Sequence, residues 1–298
     1  MRTRQSVLGT AIVALLVGSS VRSADAQTQP TVDWNAIEQT LGRPGTPQPG
    51  GVMRFAFPRL DLQVMVGDVQ VAPALALSGW AAFLPTSNGT LVMGDLVLTL
   101  LEIAPVTHAL EKGGIFITAQ HDHLVGETPK LTYLHIMARG DPAAIAQTIH
   151  DALALSGTPL ALVGAAPPSL AFPLDTARIA KALGVAGKVN GGVYQTSIPR
   201  STPITMDGVT LPPGMGVAAA INIQPVDSSF AVAAGDFVVP QEQSQAVAQA
   251  LGAHGFTVTA VHTHFTGSTP QLMFIHFWAK DSAARLAEGL AAALAAAR

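Results

Sequence analysis

One stretch of fifteen residues occurs twice in this chain and constrains its fold more than any other feature. The first copy, HDHLVGETPKLTYLH, spans residues 121–135, and the second, HTHFTGSTPQLMFIH, spans residues 262–276. Both carry histidines at relative positions 0, +2 and +14, and the two copies are offset by 141 residues (262 minus 121). Six of the nine histidines of the chain lie in these two stretches. Any function assigned to the imidazoles therefore has to account for the presence of this histidine pattern in two copies.

The repetition extends over most of the chain and is not confined to the histidines. At the same offset, matching residues occur throughout both halves: Gly51, Pro58, Arg59, Gly94, Asp95, Gly114 and Thr118 correspond to Gly192, Pro199, Arg200, Gly235, Asp236, Gly255 and Thr259. The register slips by one residue between positions 60 and 93 and then recovers. Self-similarity at a fixed spacing indicates copies of one structural unit. We therefore predict repeat 1 over residues 33–155 and repeat 2 over residues 175–298, joined by a proline-rich linker over residues 156–174.

Each copy mixes strand-like and helix-like patterns in the same order. Short apolar runs separated by Gly and Ser turns fill residues 52–98, which is typical of strands joined by hairpins. Helical spacing follows Pro105 and again follows Asp141 and Pro142, where the aspartate is a typical N-cap and the proline suits the first helical position. The expected fold class is α+β, a tandem duplication. Each repeat is expected to be a mainly antiparallel sheet backed by two to three helices, and the repeats to pack about a pseudo-twofold axis.

The N-terminal residues 1–26 have the features of a secretory signal peptide. Arg2 and Arg4 precede an apolar run over residues 7–17, and the segment ends in an Ala-Asp-Ala cleavage pattern at residues 24–26. The apolar run is too short to span a membrane, so no transmembrane segment is expected after cleavage. The sequence therefore predicts an exported protein, either periplasmic or extracellular.

Composition narrows the classes of partner. Apolar residues make up 49% of the chain, charged residues only 12%, and the formal net charge is −3. Loss of three arginines and one aspartate with the signal peptide would leave 13 cations and 18 anions, a charge of −5. No basic face for nucleic acid is expected, and the absence of cysteine excludes disulfides and thiolate metal ligands. The expected partner is a small molecule or a component of the cell envelope, and the oligomeric state stays open.

The spacing of the histidines favours a metal site in each hairpin. His121 and His123 point to the same face of a strand because side chains alternate along it. A hairpin would return His135 to the position opposite His121, where directly opposed Cβ atoms lie about 4.5–5.5 Å apart. Three neutral imidazoles with an open fourth position describe a zinc site, which we expect ahead of copper or manganese. The prediction is one site per repeat: His121, His123 and His135 in repeat 1, and His262, His264 and His276 in repeat 2.

Two alternative interpretations stay open. In the first, the histidines have only a structural role where the hairpins meet at the pseudo-twofold axis, in a metal-free binding or scaffold module of the cell envelope. His121, His123 and Glu127 also match the HxHxxxE spacing of a cupin metalloenzyme. Ser268 replaces the glutamate in repeat 2, and helices interrupt the strands, which an eight-stranded jelly roll does not need.

Few other residues have a pattern that suggests chemistry. Asp95 and Asp236 are candidates to orient a histidine N–H from behind the metal, although a Gly-Asp pair more often makes a turn. Arg59 and Arg200 are candidates to bind an anionic group, or to bind the other repeat through one of its carboxylates. Glu127 is a candidate general base only if it lies beside the histidines. Without a repeated carboxylate base, metal binding is favoured over catalysis; an enzyme on this site would be a metal-assisted hydrolase or a small-molecule oxidase.

The paired motifs resemble the LppY/LpqO-type family of exported bacterial proteins. The family pattern is a Gly-Asp-Phe-Val-Leu strand, a helix, an Ala-Leu-His-Asn-His turn and a Leu-His-Phe-Trp strand. Repeat 2 matches it at residues 235–238 (GDFV) and 275–278 (IHFW), and repeat 1 more loosely at residues 94–97 (GDLV) and 134–137 (LHIM). Asp122 and Thr263 stand where the family usually has asparagine. The resemblance implies a two-copy domain of unknown function and brings no activity with it.

Overall fold

The computed structural model describes residues 31–161 and 172–298. The predicted signal peptide, residues 1–26, lies outside the described residues, as do residues 162–171 of the predicted linker. No helix within the described ranges is both long enough and apolar enough to cross a membrane.

Repeat 1 is built on a six-stranded antiparallel sheet with helices on one face. Its strands are β1 (Thr46–Gln48), β2 (Val52–Pro58), β3 (Met65–Val66), β4 (Val69–Gln70), β5 (Ser78–Thr86), β6 (Gly89–Thr99), β7 (Phe116–His121), β8 (Glu127–Thr128) and β9 (Leu131–Gly140). Its helices are α1 (Trp34–Leu41), α2 (Pro73–Ala76), α3 (Ile103–Lys112) and α4 (Pro142–Leu153). The large sheet has the order β1-β2-β5-β6-β9-β7, and β4, β3 and β8 form a small second sheet.

Repeat 2 has the same elements in the same order. Its strands are β10 (Lys188–Asn190), β11 (Val193–Ile198), β12 (Thr205–Met206), β13 (Val209–Thr210), β14 (Ala219–Pro225), β15 (Phe230–Pro240), β16 (Thr257–His262), β17 (Ser268–Thr269) and β18 (Leu272–Ser282). Its helices are α5 (Thr176–Leu183), α6 (Gln241–Ala253) and α7 (Ala283–Ala296), with a 3-10 turn at Pro213–Met215 in the place of α2. The large sheet has the order β10-β11-β14-β15-β18-β16. The predicted α+β duplication is confirmed.

Aspartate N-caps start three of the helices, and one of them is the predicted cap at Asp141. The side chains of Asp33, Asp141 and Asp175 accept hydrogen bonds from backbone N–H groups in the first turns of α1, α4 and α5. Such a cap contributes about 1 kcal/mol because it satisfies an N–H that has no partner within the helix. The caps therefore fix the points at which the chain leaves each sheet to cover its outer face.

The two faces of each large sheet have different partners. On the outer face, alternating residues such as Phe55, Phe83 and Leu134 pack against the helices of their own repeat. On the inner face, Met93 of repeat 1 belongs to a core cluster with Phe274 of repeat 2. The inner faces of the two sheets therefore pack against each other, and the small sheets cover the remainder of the interface.

Reciprocal contacts show the predicted pseudo-twofold arrangement. Arg54 Nη1 donates to the Gly214 carbonyl at 2.9 Å, and Gln195 Nε2 donates to the Ala74 carbonyl at 2.7 Å. Arg54 and Gln195 occupy matching positions in the two copies, and so do Ala74 and Gly214. In a twofold interface each surface patch meets its own counterpart. Residues near the axis of this chain are consequently brought together from both repeats.

Candidate metal centre

The central strand pair of each sheet presents an aspartate beside a histidine. Asp95 in β6 is directly opposite His135 in β9, and Asp236 in β15 is directly opposite His276 in β18. Directly opposed residues point to the same face of a sheet, here the inner one. The Gly-Asp pairs therefore lie within central strands, and the interpretation of these pairs as turns was wrong.

The remaining histidines come from the hairpin ends. His121 ends β7 and pairs with Tyr133, while His135 pairs with Ala119 beyond a bulge in β7. The predicted pairing of His121 with His135 was therefore wrong by two residues. Since side chains alternate with a period of two, a shift of two keeps both imidazoles on one face. Repeat 2 has the same register, with His262 opposite Phe274.

The two histidine trios meet at the pseudo-twofold axis and form one cluster. The ring centroids of His121 and His262 are 4.2 Å apart. His123 contacts His276 at 4.2 Å, and the reciprocal pair, His264 and His135, lies at 3.5 Å. The arrangement differs from two separate sites, one per repeat, because the hairpins lie on the interface. Packing between the repeats brings together six imidazoles that the sequence places in two sets.

Two sets of side chains within this cluster can hold a metal ion. The first set, called here the four-imidazole set, consists of His121, His135, His262 and His276, whose ligand atoms all lie within 4.8 Å of one another. The second, called here the Asp95 set, consists of Asp95, His121 and His123 under the same limit. His262 Nε2 and His276 Nε2 are only 2.9 Å apart. Two nitrogens bound to one zinc ion at about 2.0–2.1 Å are themselves roughly 3 Å apart, so this spacing fits a shared ion.

Backbone carbonyls orient two of these rings. His135 Nδ1 lies 3.2 Å from the Gly94 carbonyl, and His262 Nδ1 lies 3.1 Å from the Thr263 carbonyl. A carbonyl only accepts a hydrogen bond, so each Nδ1 carries the proton and each Nε2 keeps its lone pair. A second hydrogen bond of this kind is the usual support of a metal-bound histidine. Both Nε2 atoms are therefore available as ligands.

The cluster has polar atoms that are buried without hydrogen-bond partners. Within the described ranges these include both ring nitrogens of His121, Nε2 of His135 and His264, Nδ1 of His276 and Oδ1 of Asp95. Buried polar groups in native proteins nearly always have a partner, and an isolated failure needs an explanation. Several unpartnered nitrogens in one place suit the binding of a cation, because one ion accepts several nitrogen lone pairs at once.

Burial keeps most of the imidazoles neutral. It lowers the pKa of His135 to about 4, and burial together with neighbouring imidazoles lowers the pKa of His121, His264 and His276 far below the usual range. Burial also lowers the pKa of His262. Only a neutral imidazole can bind a metal, since the ring nitrogen must keep its lone pair. At neutral pH an ion can therefore bind to a free Nε2 of these rings without displacing a proton.

The two aspartates differ although they occupy matching positions. Asp95 Oδ2 lies 3.4 Å from His123 Nε2, 3.9 Å from His135 Nε2 and 4.0 Å from His121 Nε2. Burial acts to raise the pKa of Asp95, but His135 and the contact with His123 outweigh it, so the pKa lies below its usual value. Asp236 instead accepts a hydrogen bond from the Ala220 N–H, and burial raises its pKa to about 6. Asp95, predicted to act behind the ligands, therefore faces the imidazoles directly.

The guanidinium of Arg59 is fully hydrogen-bonded within its own repeat. Its side chain is 1% exposed, and its five N–H groups donate to Asp61, Glu102 and the Val97 carbonyl over 2.7–3.0 Å. A guanidinium has five donors, so none is left for an anionic ligand. The prediction that Arg59 binds an anion was wrong. Its counterpart Arg200 donates to the Val238 carbonyl at 3.0 Å and stays a candidate.

Glu127 does not join the histidines. It is buried beside Lys130, which lies 2.9 Å away, and it accepts from the Leu131 N–H at 3.2 Å. It belongs to neither set of possible ligands among the described residues. Together with helix-backed sheets in place of a jelly roll, this argues against a cupin site at His121, His123 and Glu127.

Two residues near the cluster were not predicted. Arg54 stacks over the Trp80 ring with its Cζ 3.8 Å from the centroid, and Trp80 is directly opposite Asp95. Burial lowers the pKa of Arg54 to about 10, while Asp236 and Asp95 act to raise it. The signal in the sequence is a mismatch between the copies, where Gln195 and Ala220 take the corresponding positions. These differences make the environments of the two aspartates unequal.

Comparison with known proteins identifies a family for this chain. A family model described as Domain of Unknown Function (DUF1259) matches residues 35–155 and, a second time, residues 177–296. The match confirms the predicted two-copy domain of unknown function, whereas the LppY/LpqO name stays a prediction. The search of curated proteins gave no match.

Two solved structures align with most of the chain at low similarity. A trimeric bacterial microcompartment shell protein, PduB, is 14% identical over 85% of this chain and 89% of its own, with a TM-score of 0.22. EtuB from Clostridium kluyveri is 10% identical with the same two coverages and a TM-score of 0.20. Likeness at this level supports no conclusion about fold or function.

Proposed function

This chain belongs to the family described as Domain of Unknown Function (DUF1259), and we propose that it is an exported metal-binding protein whose site is shared by its two repeats. The observation that carries the proposal is the four-imidazole set, which takes His121 and His135 from one repeat and His262 and His276 from the other. The proposal covers binding and assigns no reaction.

The chemistry of the donors favours a divalent transition metal. The set offers imidazole nitrogens, with one carboxylate nearby and no thiolate, because the chain has no cysteine. Imidazole suits zinc and copper, whereas calcium and magnesium prefer oxygen ligands. Four nitrogen ligands also satisfy the tetrahedral preference of zinc. Zinc is therefore the proposed ion, and copper is its main competitor because its affinity for such sites is higher.

The metal-free alternative explains fewer of the contacts. Histidines with a purely structural role should form hydrogen bonds to their neighbours, as buried polar side chains usually do. In the described part of the chain, however, both ring nitrogens of His121 and Nε2 of His135 have no partner. The direct approach of His262 Nε2 to His276 Nε2 at 2.9 Å also needs a proton or an ion between two lone pairs. A cation bound by the four-imidazole set accounts for Nε2 of His135, for one ring nitrogen of His121 and for the close approach of His262 to His276.

Metal analysis of protein purified without an affinity tag tests the proposal. We expect at least one equivalent of zinc or copper per chain in the natural protein. His276→Ala should lower it by one ion, because it removes a fully buried ligand of the four-imidazole set and leaves the Asp95 set intact. His108→Ala is the matched control, since His108 is exposed on α3 outside the cluster, and it should retain the metal. Metal-free natural protein that is correctly folded, or equal metal in both variants, would refute the proposal.

The same preparation tests export. The proposal of a secreted protein rests on the signal-peptide pattern in residues 1–26. The intact mass of the protein recovered outside the cytoplasm should correspond to a chain that begins at Gln27. An intact N-terminus on a protein confined to the cytoplasm would contradict the proposed location while leaving metal binding untouched.

A further inference from the structure

The cluster contains more ligands than one ion can use. The four-imidazole set and the Asp95 set have four and three members and share one, so together they offer six donor residues. A zinc ion usually takes four ligands from a protein site. A single ion would therefore leave Asp95 and His123 unused, although both are directed into the same cluster. The surplus is at the end of the cluster that belongs to repeat 1.

The shared residue has two free ligand atoms. His121 is 7% exposed, and both of its ring nitrogens are buried without a hydrogen-bond partner among the described residues. The rings of His135 and His262 each use Nδ1 for a backbone carbonyl, so each has only one nitrogen available as a metal ligand. A neutral imidazole has one nitrogen with a lone pair in the ring plane and one N–H, so its second nitrogen binds an ion only after losing that proton. His121 can serve both sets only by using one nitrogen for each.

We infer that the cluster holds two divalent transition-metal ions bridged by the imidazole of His121. One ion is bound by His135, His262, His276 and one nitrogen of His121. The other is bound by Asp95, His123 and the second nitrogen of His121, with water completing its coordination. This inference rests on the proposed metal-binding function. Binding of the second ion releases the ring N–H proton of His121 to solvent, so that His121 bridges as an imidazolate.

Among the described residues, the matching side chains of repeat 2, Asp236, His262 and His264, are not a group that could hold an ion. Asp236 Oδ1 is used by the Ala220 N–H at 3.2 Å. His264, the counterpart of His123, stacks on the Phe274 ring with centroids 3.2 Å apart and does not join either set. The copies therefore contribute unequally, and the inference is two ions per chain and not three. This asymmetry provides a matched control for the experiment.

Copper(II) alone is the probe for the test. Full-length protein cleared of metal with a chelator is titrated with Cu(II), and bound copper is compared with the unpaired spin measured by electron paramagnetic resonance. We expect two copper ions per chain. The first equivalent should give full spin, and the second should remove most of the signal, because an imidazolate bridge couples the two unpaired electrons antiferromagnetically.

Two variants locate the second ion. His123→Ala removes a ligand of the Asp95 set only, so we expect one copper per chain with full spin. His264→Ala changes the matching position in repeat 2 and should keep two coupled ions. Asp95→Asn is an independent test for the second ion, because asparagine has nearly the shape of the natural aspartate side chain. The titration of the natural protein tests the inference even if a variant fails to fold.

The outcomes separate this inference from the proposed function. One copper per chain with full spin in the natural protein would refute the second ion and leave metal binding intact. Two copper ions with full, uncoupled spin would refute the bridge through His121. Loss of the second ion in His264→Ala but not in His123→Ala would place it on the wrong repeat and also refute the inference. A natural protein that binds no copper would refute both proposals.

Discussion

Removal of the bound metal by a chelator should lower the midpoint of thermal unfolding by roughly 10 °C. A ligand held at a thousand times its dissociation constant stabilises the folded state by about 4 kcal/mol. For a chain of this size, each kcal/mol shifts the midpoint by about 2–4 °C. The proposed ion would connect His121 and His135 of one repeat to His262 and His276 of the other. Its removal should therefore loosen the interface between the repeats, and calorimetry with and without chelator measures the change.

The His276→Ala variant is the control for this result. It lacks a ligand of the shared ion, so chelator should lower its unfolding midpoint much less than that of the natural protein. His108→Ala, changed on an exposed position of α3, should show the same response to chelator as the natural protein. Equal midpoints for natural protein with and without chelator, at a metal content of one or more, would show that the ion does not bridge the repeats.

Gly235→Ala should lower the free energy of unfolding by about 3 kcal/mol, the upper end of the usual cost of overpacking. Gly235 lies in the central strand β15, immediately before Asp236. A Cβ atom at this position would lie 1.9 Å from the Ala220 carbonyl oxygen and 3.2 Å from the Phe277 ring. The nearer atom is backbone, so the clash can be relieved only by moving β14 away from β15. Urea denaturation of the variant and the natural protein measures the difference.

Gly252→Ala is the matched control for this substitution. Gly252 lies in helix α6, and a Cβ atom there meets nothing within 4 Å. Replacement of a helical glycine by alanine stabilises a protein by about 0.5–1 kcal/mol, because the unfolded chain loses freedom. The two Gly→Ala changes should therefore have opposite signs. Equal effects, or a neutral Gly235→Ala, would contradict the close approach of β14 to β15.

The fold could be predicted from the sequence because the information is local and is repeated. Aspartate caps, Gly turns and alternating apolar residues occur in both copies, so each copy supports the assignment of the other. The shared face of His121 and His135 was also predictable. It depends only on the period of two along a strand, and this survives the observed shift of the pairing by two residues.

The site could be predicted only in part, because its geometry depends on packing between the repeats. The sequence allowed the hairpins to meet at the pseudo-twofold axis, but it did not pair His123 with His276 or His135 with His264 across that interface. Trp80 lies directly opposite Asp95 with Arg54 stacked over its ring, and repeat 2 has Ala220 and Gln195 at the matching positions. Arg59 was predicted to bind a ligand because it recurs in both copies. Its partners Asp61 and Glu102, which do not recur, fix its actual role.

X-ray absorption at the edge of the bound metal tests the shared centre most directly, because it counts the imidazoles around the ion. The account predicts about four nitrogen ligands at roughly 2.0 Å with the multiple scattering of imidazole rings. It also predicts that His262→Ala, a change confined to repeat 2, removes or alters this spectrum, since His262 is a ligand beside His121 and His135 of repeat 1. An environment made only of oxygen, or a spectrum unchanged in His262→Ala, would contradict a centre built by both repeats.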